Sequence, residues 1–263
     1  MSRRTGVAVL AATFLAVTGA AVAPTPAQAV TPTCFGRAAT IVGTGSSETI
    51  RGTSGPDVIV GRGGSDTIDG RGGDDWICDP SGPNDLNSLH GGAGDDHVRG
   101  ATELEGGPGD DVLIVDGTVG STIHVAGGTG ADTLRAPVLK ALFVPGPGRD
   151  LVVGNDIPDD EVSYRSSGYA VQVDLAAGVA LGQGRDTLKR VDWATGSRYG
   201  DLLRGTGGPN GLTGLRGGDT LKGRGGADFL TGGQGADLLD GGAGDDYCDG
   251  GLLDEITLCE HGS

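Results

Sequence analysis

The 263-residue chain holds 35 acidic against 19 basic side chains, a formal net charge of −16 at pH 7, with 54 glycines and 4% aromatic residues. Such a surface repels nucleic acid and anionic membranes and attracts cations. So few large apolar side chains would hardly fill the core of a globular enzyme. Glycine at about three times its usual share leaves disorder or a repeat architecture as the two readings, and periodicity decides between them.

At the amino terminus, Arg3 and Arg4 precede an almost wholly apolar stretch over residues 6–22, and Ala27-Gln28-Ala29 follows two prolines. The pattern predicts a secretory signal peptide over 1–29 and export of the remainder. The apolar stretch is short for a membrane anchor, and no second segment is long enough to cross a bilayer. Residues 30–42 are expected to form an entry segment that caps the first repeats.

From Gly52 the chain repeats every nine residues. Gly52, Gly61 and Gly70 open successive units, Gly55, Gly64 and Gly73 stand fourth, Asp57, Asp66 and Asp75 sixth, and Ile59, Ile68 and Ile77 eighth. A weaker unit precedes them, with Glu48 and Ile50 in the Asp and Ile places. Scattered units carry Asp96, Asp111 and Asp132, and a degenerate one surrounds Asp150. The strict spacing returns with Asp201, Asn210, Asp219, Asp228, Asp237 and Asp246, each followed two residues on by Leu or, at the end, by Cys248.

Each unit reads as a six-residue loop and a three-residue strand. The middle strand residue points inward and its neighbours outward, so one unit cannot cover its own aliphatic and several must stack. Glycine permits the tight turns of the loop, while Asp adds an anionic oxygen at its end. Oxygen-rich, irregular loops suit Ca²⁺ and suit Zn²⁺ poorly, there being no His or thiolate cluster. The plainer reading makes these Asp and Gly ordinary solvated turn residues. Against it stand the doubled acids Asp74-Asp75, Asp95-Asp96, Asp110-Asp111 and Asp245-Asp246. Stacked ~4.8 Å apart with no cation between them, they would repel one another strongly.

The nonapeptide Gly-Gly-x-Gly-x-Asp-x-aliphatic-x resembles the repeat of the RTX family, over most of the chain from Gly43 to Asp249. The resemblance implies an all-β fold, a right-handed parallel β-roll in which two nonapeptides make a turn and calcium sits between loops eighteen residues apart. Carried onto this chain, it makes Asp57, Asp66, Asp75, Asp96, Asp111, Asp132, Asp201, Asp219, Asp228, Asp237 and Asp246 the expected metal-binding residues. Asp57 pairs with Asp75, Asp201, Asp219 and Asp237 line one edge of the second block, and Asp228 and Asp246 line the other. Asn210 and Glu48 depart from the pattern, and sites sharing them are expected to be weaker or absent. The expected organisation is a first block over 43–153, regular to residue 78 and degenerate after it, a β-rich connector over 154–195, a second block over 196–249 and a carboxyl-terminal cap over 250–263. An amino-terminal signal and cysteines are unusual for the family and weigh against a toxin role or one-step secretion.

Four cysteines in an exported chain imply two disulfides, and three connectivities are open. Cys34–Cys78 with Cys248–Cys259 is the arrangement that staples both solenoid ends, where core is otherwise bare. No H-E-x-x-H, G-x-S-x-G or phosphate-binding loop occurs, and His90, His97, His124 and His261 are isolated. Trp76 and Trp193 suit cap or edge positions better than a sugar platform, and no regular aromatic strip is visible. The expected function is therefore calcium binding coupled to folding in the extracellular space, at roughly 10⁻⁴–10⁻³ M calcium. A structural solenoid presenting a surface to a protein or polysaccharide is the alternative. An enzyme built on residues 79–195 is the weakest reading.

Overall fold

A three-residue strand hides one side chain between two that face outward, so it is stable only when copies above, below and opposite cover it. The computed structural model, which describes residues 31–80, 85–100, 102–116 and 122–260, is built from such strands. In Val58–Val60, Thr67–Asp69 and Trp76–Cys78 the central isoleucine is fully buried. Successive repeat strands alternate between two sheets, one of 11 strands and one of 14, and within each sheet repeat strands pair in parallel. The result is a β-solenoid of about 12 turns, with no helix among the described residues. None of those residues forms a helix long and apolar enough to cross a membrane. The expected signal peptide and His261 lie outside the described residues.

The register lines the core residues up in two columns. In the larger sheet Ile59 pairs with Ile77, and the column continues through Val98, Leu113, Leu134, Val152 and Leu188. In the smaller sheet it runs from Ile50 through Ile68, Leu89, Leu104, Val125, Phe143, Val162, Ala194, Leu212 and Leu230 to Cys248. Each fully buried aliphatic contributes roughly 1.5–3 kcal/mol, and a slip of one residue would turn the whole column outward.

The same two sheets run through both blocks and the degenerate stretch between them. Turn length is what varies there: successive Asp positions are 21, 15, 21 and 18 residues apart from Asp75 to Asp150, against a uniform 18 from Asp201 to Asp237. Between residues 154 and 195 the larger sheet gains a meander, Gln172–Asp174, Val179–Leu181 and Arg185–Lys189, paired antiparallel. The smaller sheet passes this point directly, Glu161–Ser163 beside Trp193–Thr195. Tyr164, buried beside the meander, donates its hydroxyl to Asp186 in the last meander strand.

Both ends are stapled as expected. A hairpin of Thr33–Cys34 and Arg37–Ala38 is tied to the first block by Cys34–Cys78. Its Arg37 guanidinium lies 3.6 Å over the Trp76 ring, which stacks on His97. At the other end Cys248 occupies the last core position and is bonded to Cys259. One expectation needs correcting. An aromatic strip does exist, on the outer face of the smaller sheet, where Trp193, Phe229 and Tyr247 lie in one column and stack nearly parallel. The strip is hidden in the sequence because Gly211 occupies the place between Trp193 and Phe229. Trp193 lies over that glycine, and a Cβ there would collide with its indole ring.

Candidate functional site

The loops ahead of the larger sheet's strands form one edge of the solenoid, and those ahead of the smaller sheet's strands form the other. On the first edge the sixth loop residue makes a ladder. The Asp57 N–H donates to Asp75 Oδ1 at 2.7 Å, Asp75 to Asp96 at 2.8 Å, Asp96 to Asp111 at 2.8 Å, Asp111 to Asp132 at 2.9 Å, Asp132 to Asp150 at 2.9 Å and Asp150 to Asp186 at 3.1 Å. Beyond the meander it resumes with Asp201, Asp219, Asp237 and Asp254. The second edge has a shorter version: Glu48 to Asp66 and Asn87 at the start, and Asn210, Asp228, Asp246 and Glu260 at the end. Every residue of the expected metal set thus falls on one of the two ladders, including Asp96, Asp111 and Asp132 of the scattered units.

One carboxylate oxygen per Asp is satisfied by the N–H of the neighbouring turn. The other, Oδ2, is buried with no hydrogen-bond partner in Asp66, Asp75, Asp96, Asp111, Asp132, Asp150, Asp219, Asp228, Asp237 and Asp246. Leaving a charged oxygen buried and unpaired is costly. Burial pushes Asp75, Asp111 and Asp219 up to about 7, Asp96, Asp132 and Asp228 to about 6, and Asp150 to about 8, although the bond from the neighbouring N–H opposes the rise. Asp66 and Asp237 are raised for the same reason.

Except in Asp150, whose unit opens with Pro145, the unpaired oxygens point back at the first glycine of their own loop. A Cβ on Gly70 would collide with both Asp75 Oδ2 and the Gly91 carbonyl oxygen of the next turn, and Gly106 and Gly127 repeat the pattern with Asp111 and Asp132. These cradles, with those at Gly214, Gly223 and Gly241, combine a carboxylate oxygen with a main-chain carbonyl, the donor set of a hard cation such as Ca²⁺. Among the described residues no three His, Cys, Asp or Glu side chains gather as they would around one ion. Most of the six or more oxygens such a cation needs must therefore come from the main chain.

Asp57 and Asp201 differ from the rest of the expected set, because both their oxygens are engaged. Asp57 Oδ2 accepts the N–H and hydroxyl of Thr53, and Asp201 accepts the N–H and hydroxyl of Ser197. The structure also brings in residues outside the expected metal set. Asp150 continues the first-edge ladder eighteen residues after Asp132, a spacing that was readable. Asp186 closes that stretch, its Oδ2 accepting the Tyr164 hydroxyl at 2.9 Å. Asp79 replaces the first glycine of its unit and turns a fully buried carboxylate toward Gly61 and Asp66, with burial pushing it up to about 7.

Comparison with protein families finds the RTX calcium-binding nonapeptide repeat in four copies, at residues 42–77, 85–113, 195–230 and 222–253. Comparison with curated proteins finds no match.

Proposed function

Because the chain belongs to the RTX calcium-binding nonapeptide-repeat family, we propose that it is a secreted protein whose ladder carboxylates bind Ca²⁺ and whose folding depends on that binding. The observation that carries this reading is the row of buried Oδ2 atoms with no partner, which in Asp75, Asp111, Asp132, Asp219, Asp228 and Asp246 lie beside a main-chain carbonyl of the next turn. The residues proposed to hold calcium are Asp75, Asp96, Asp111, Asp132, Asp150, Asp219 and Asp237 on the first edge and Asp66, Asp228 and Asp246 on the second, each with an unpartnered Oδ2. Bound calcium supplies the positive charge these loops lack.

The chain's own residues account for the coupling. Unit charges ~4.8 Å apart at an effective dielectric near 20 repel by about 3–4 kcal/mol per neighbouring pair, comparable with the burial of one core aliphatic. Without a counter-charge, the ladder opposes the stacking that the core favours. In a low-calcium cell the repeats remain extended; outside it, millimolar calcium lets them close. The two disulfides and the signal-like amino terminus support an oxidising, extracellular destination.

The test is far-ultraviolet circular dichroism of the oxidised protein lacking residues 1–29, titrated with Ca²⁺ and, as control, Mg²⁺. A cooperative gain of β-structure with Ca²⁺ alone is expected. A spectrum already β-rich in chelator and unmoved by calcium would overturn the proposal. A second reading, a structural solenoid presenting a surface, draws on the Trp193–Phe229–Tyr247 strip. Those rings stack on one another, with Phe229 and Tyr247 exposed to solvent. If they recognise polysaccharide, Phe229→Ser with Tyr247→Ser abolishes binding to an immobilised glycan panel and leaves the calcium transition unchanged.

A further inference from the structure

The two kinds of loop are set by the residue in second place. Where it is Thr or Ser, the loop satisfies its own acid. Thr53 and Ser197 donate to Asp57 and Asp201, Thr206 donates its N–H and hydroxyl to Asn210 Oδ1, and the Thr44 N–H donates to Glu48. Where it is Gly, Arg or Leu, the backbone there is left-handed: φ is 77° at Arg71, 83° at Leu215, 79° at Arg224, 88° at Arg62 and 113° at Gly92. Thr44, Thr53, Ser197 and Thr206 are not in that conformation. The left-handed turn carries the second N–H away from the acid, and the acids of these loops, Asp75, Asp219, Asp228, Asp66 and Asp96, are all among those with an orphaned Oδ2. A left-handed Arg or Leu costs about 1–2 kcal/mol, so four of them at one loop position need a compensating interaction.

The closed loops are not scattered. Thr44 and Thr53 open the first block, and Ser197 and Thr206 open the second. The connector is closed by other means: the Asn155 N–H donates to Asp160 Oδ2, whose Oδ1 accepts from Ala141, and Tyr164 donates to Asp186. Residues 43–57 and 154–210 therefore contain no ladder acid with an orphaned oxygen.

We infer that these two segments are calcium-independent nuclei, closed by their own Thr, Ser, Asn and Tyr donors, and that the open loops beyond them close only when calcium is bound. The inference rests on the calcium reading and adds to it where order begins and which acids hold no ion. Solenoid order spreads from turn to turn, so a formed turn at the head of each block gives the next one a template.

Hydrogen exchange read by mass spectrometry on the oxidised chain, in chelator and in millimolar calcium, tests this directly. Peptides from 154–195, and in 43–57 the Thr44 and Thr53 amides that bond within their own loops, are expected to be protected in both conditions; those from 61–75, 91–150 and 214–246, with the Glu48, Gly52 and Asp57 amides that donate into 66–75, only with calcium. Protection that depends on calcium equally everywhere overturns the inference while keeping the calcium reading; protection that never depends on calcium overturns both. Ion counting by native mass spectrometry is the second arm. Asp57→Asn with Asp201→Asn, a change Asn210 already represents in a closed loop, is expected to keep the wild-type number of bound Ca²⁺. Asp75→Asn with Asp219→Asn is expected to lose ions. Equal losses in the two double variants would overturn the inference, and if the second variant does not fold, the exchange pattern of the wild type decides.

Discussion

The two edges of this solenoid share strands, core and turns, yet only one keeps its acids throughout. From Asp75 to Asp150 every turn of the first edge carries a buried Asp, whereas register places Asn87, Thr102, Ile123 and Ala141 at the matching positions of the second. There the ladder positions themselves are neutral: the Asn87 N–H donates to Thr102 Oγ1 at 3.2 Å, and a buried carboxylate meets this edge only at its ends, Asp79 beside Asp66 and Asp160 below Ala141. The irregular turn lengths belong to the same division, because the extra and missing residues fall on the edge that carries no repeated Asp. A solenoid turn needs an acceptor for its N–H at each corner; it needs an acid only where a cation is to be held.

The largest effect that would sharpen this contrast is calcium removal. Chelation is expected to strip most of the β-signal, with exchange protection lost over 91–150 in spite of the neutral second edge, since each turn closes only when both corners do. Retention of the full signal would break the comparison. Next in size is Asp111→Ala, which leaves the buried Asp96 N–H without its acceptor as well as removing one cradle oxygen. The lost bond alone costs about 1–3 kcal/mol, and a lowered midpoint in a calcium-saturated urea titration should exceed that figure.

Acid acts in the opposite direction to chelation. The calcium-free folded state holds protons on Asp75, Asp111 and Asp219 up to about 7 and on Asp150 up to about 8, above the usual carboxylate value near 4. Folding therefore takes up protons, and stability in chelator should rise as pH falls from about 8 toward 5 and decline as it rises again. Thermal melts across that interval check the sign; a fall in stability on mild acidification would contradict it. The smallest effect belongs to the second edge. Thr102→Ala removes one neutral acceptor, for roughly 0.5–1.5 kcal/mol, and leaves calcium affinity unchanged by calorimetry.

Much of this was legible in the sequence, because the nonapeptide states its physics directly. An aliphatic two residues after each Asp marks the core columns, and the Asp marks the ladders; Ile59, Ile68, Asp75 and Asp219 all fall where the period puts them. The Cys34–Cys78 and Cys248–Cys259 bridges follow from the need to cover exposed ends. What period alone conceals depends on partners from elsewhere. Asp186 is closed by a tyrosine 22 residues away, Asp79 stands in a glycine's place, and the aromatic strip is broken by Gly211. The closure of Asp57 was local and readable, a Thr four residues before the acid, but its meaning lay in the hydrogen bonds rather than in the spacing.

The most direct test of the central claim is anomalous diffraction from crystals grown in calcium, with the ion or a lanthanide substitute as scatterer. Peaks are predicted along the first edge beside Asp75, Asp96, Asp111 and Asp132 and again beside Asp219 and Asp237, with none beside Ile123 or Ala141. A map in which the buried carboxylates of the first edge carry no metal, and are instead satisfied by water or by neighbouring side chains, would contradict the account.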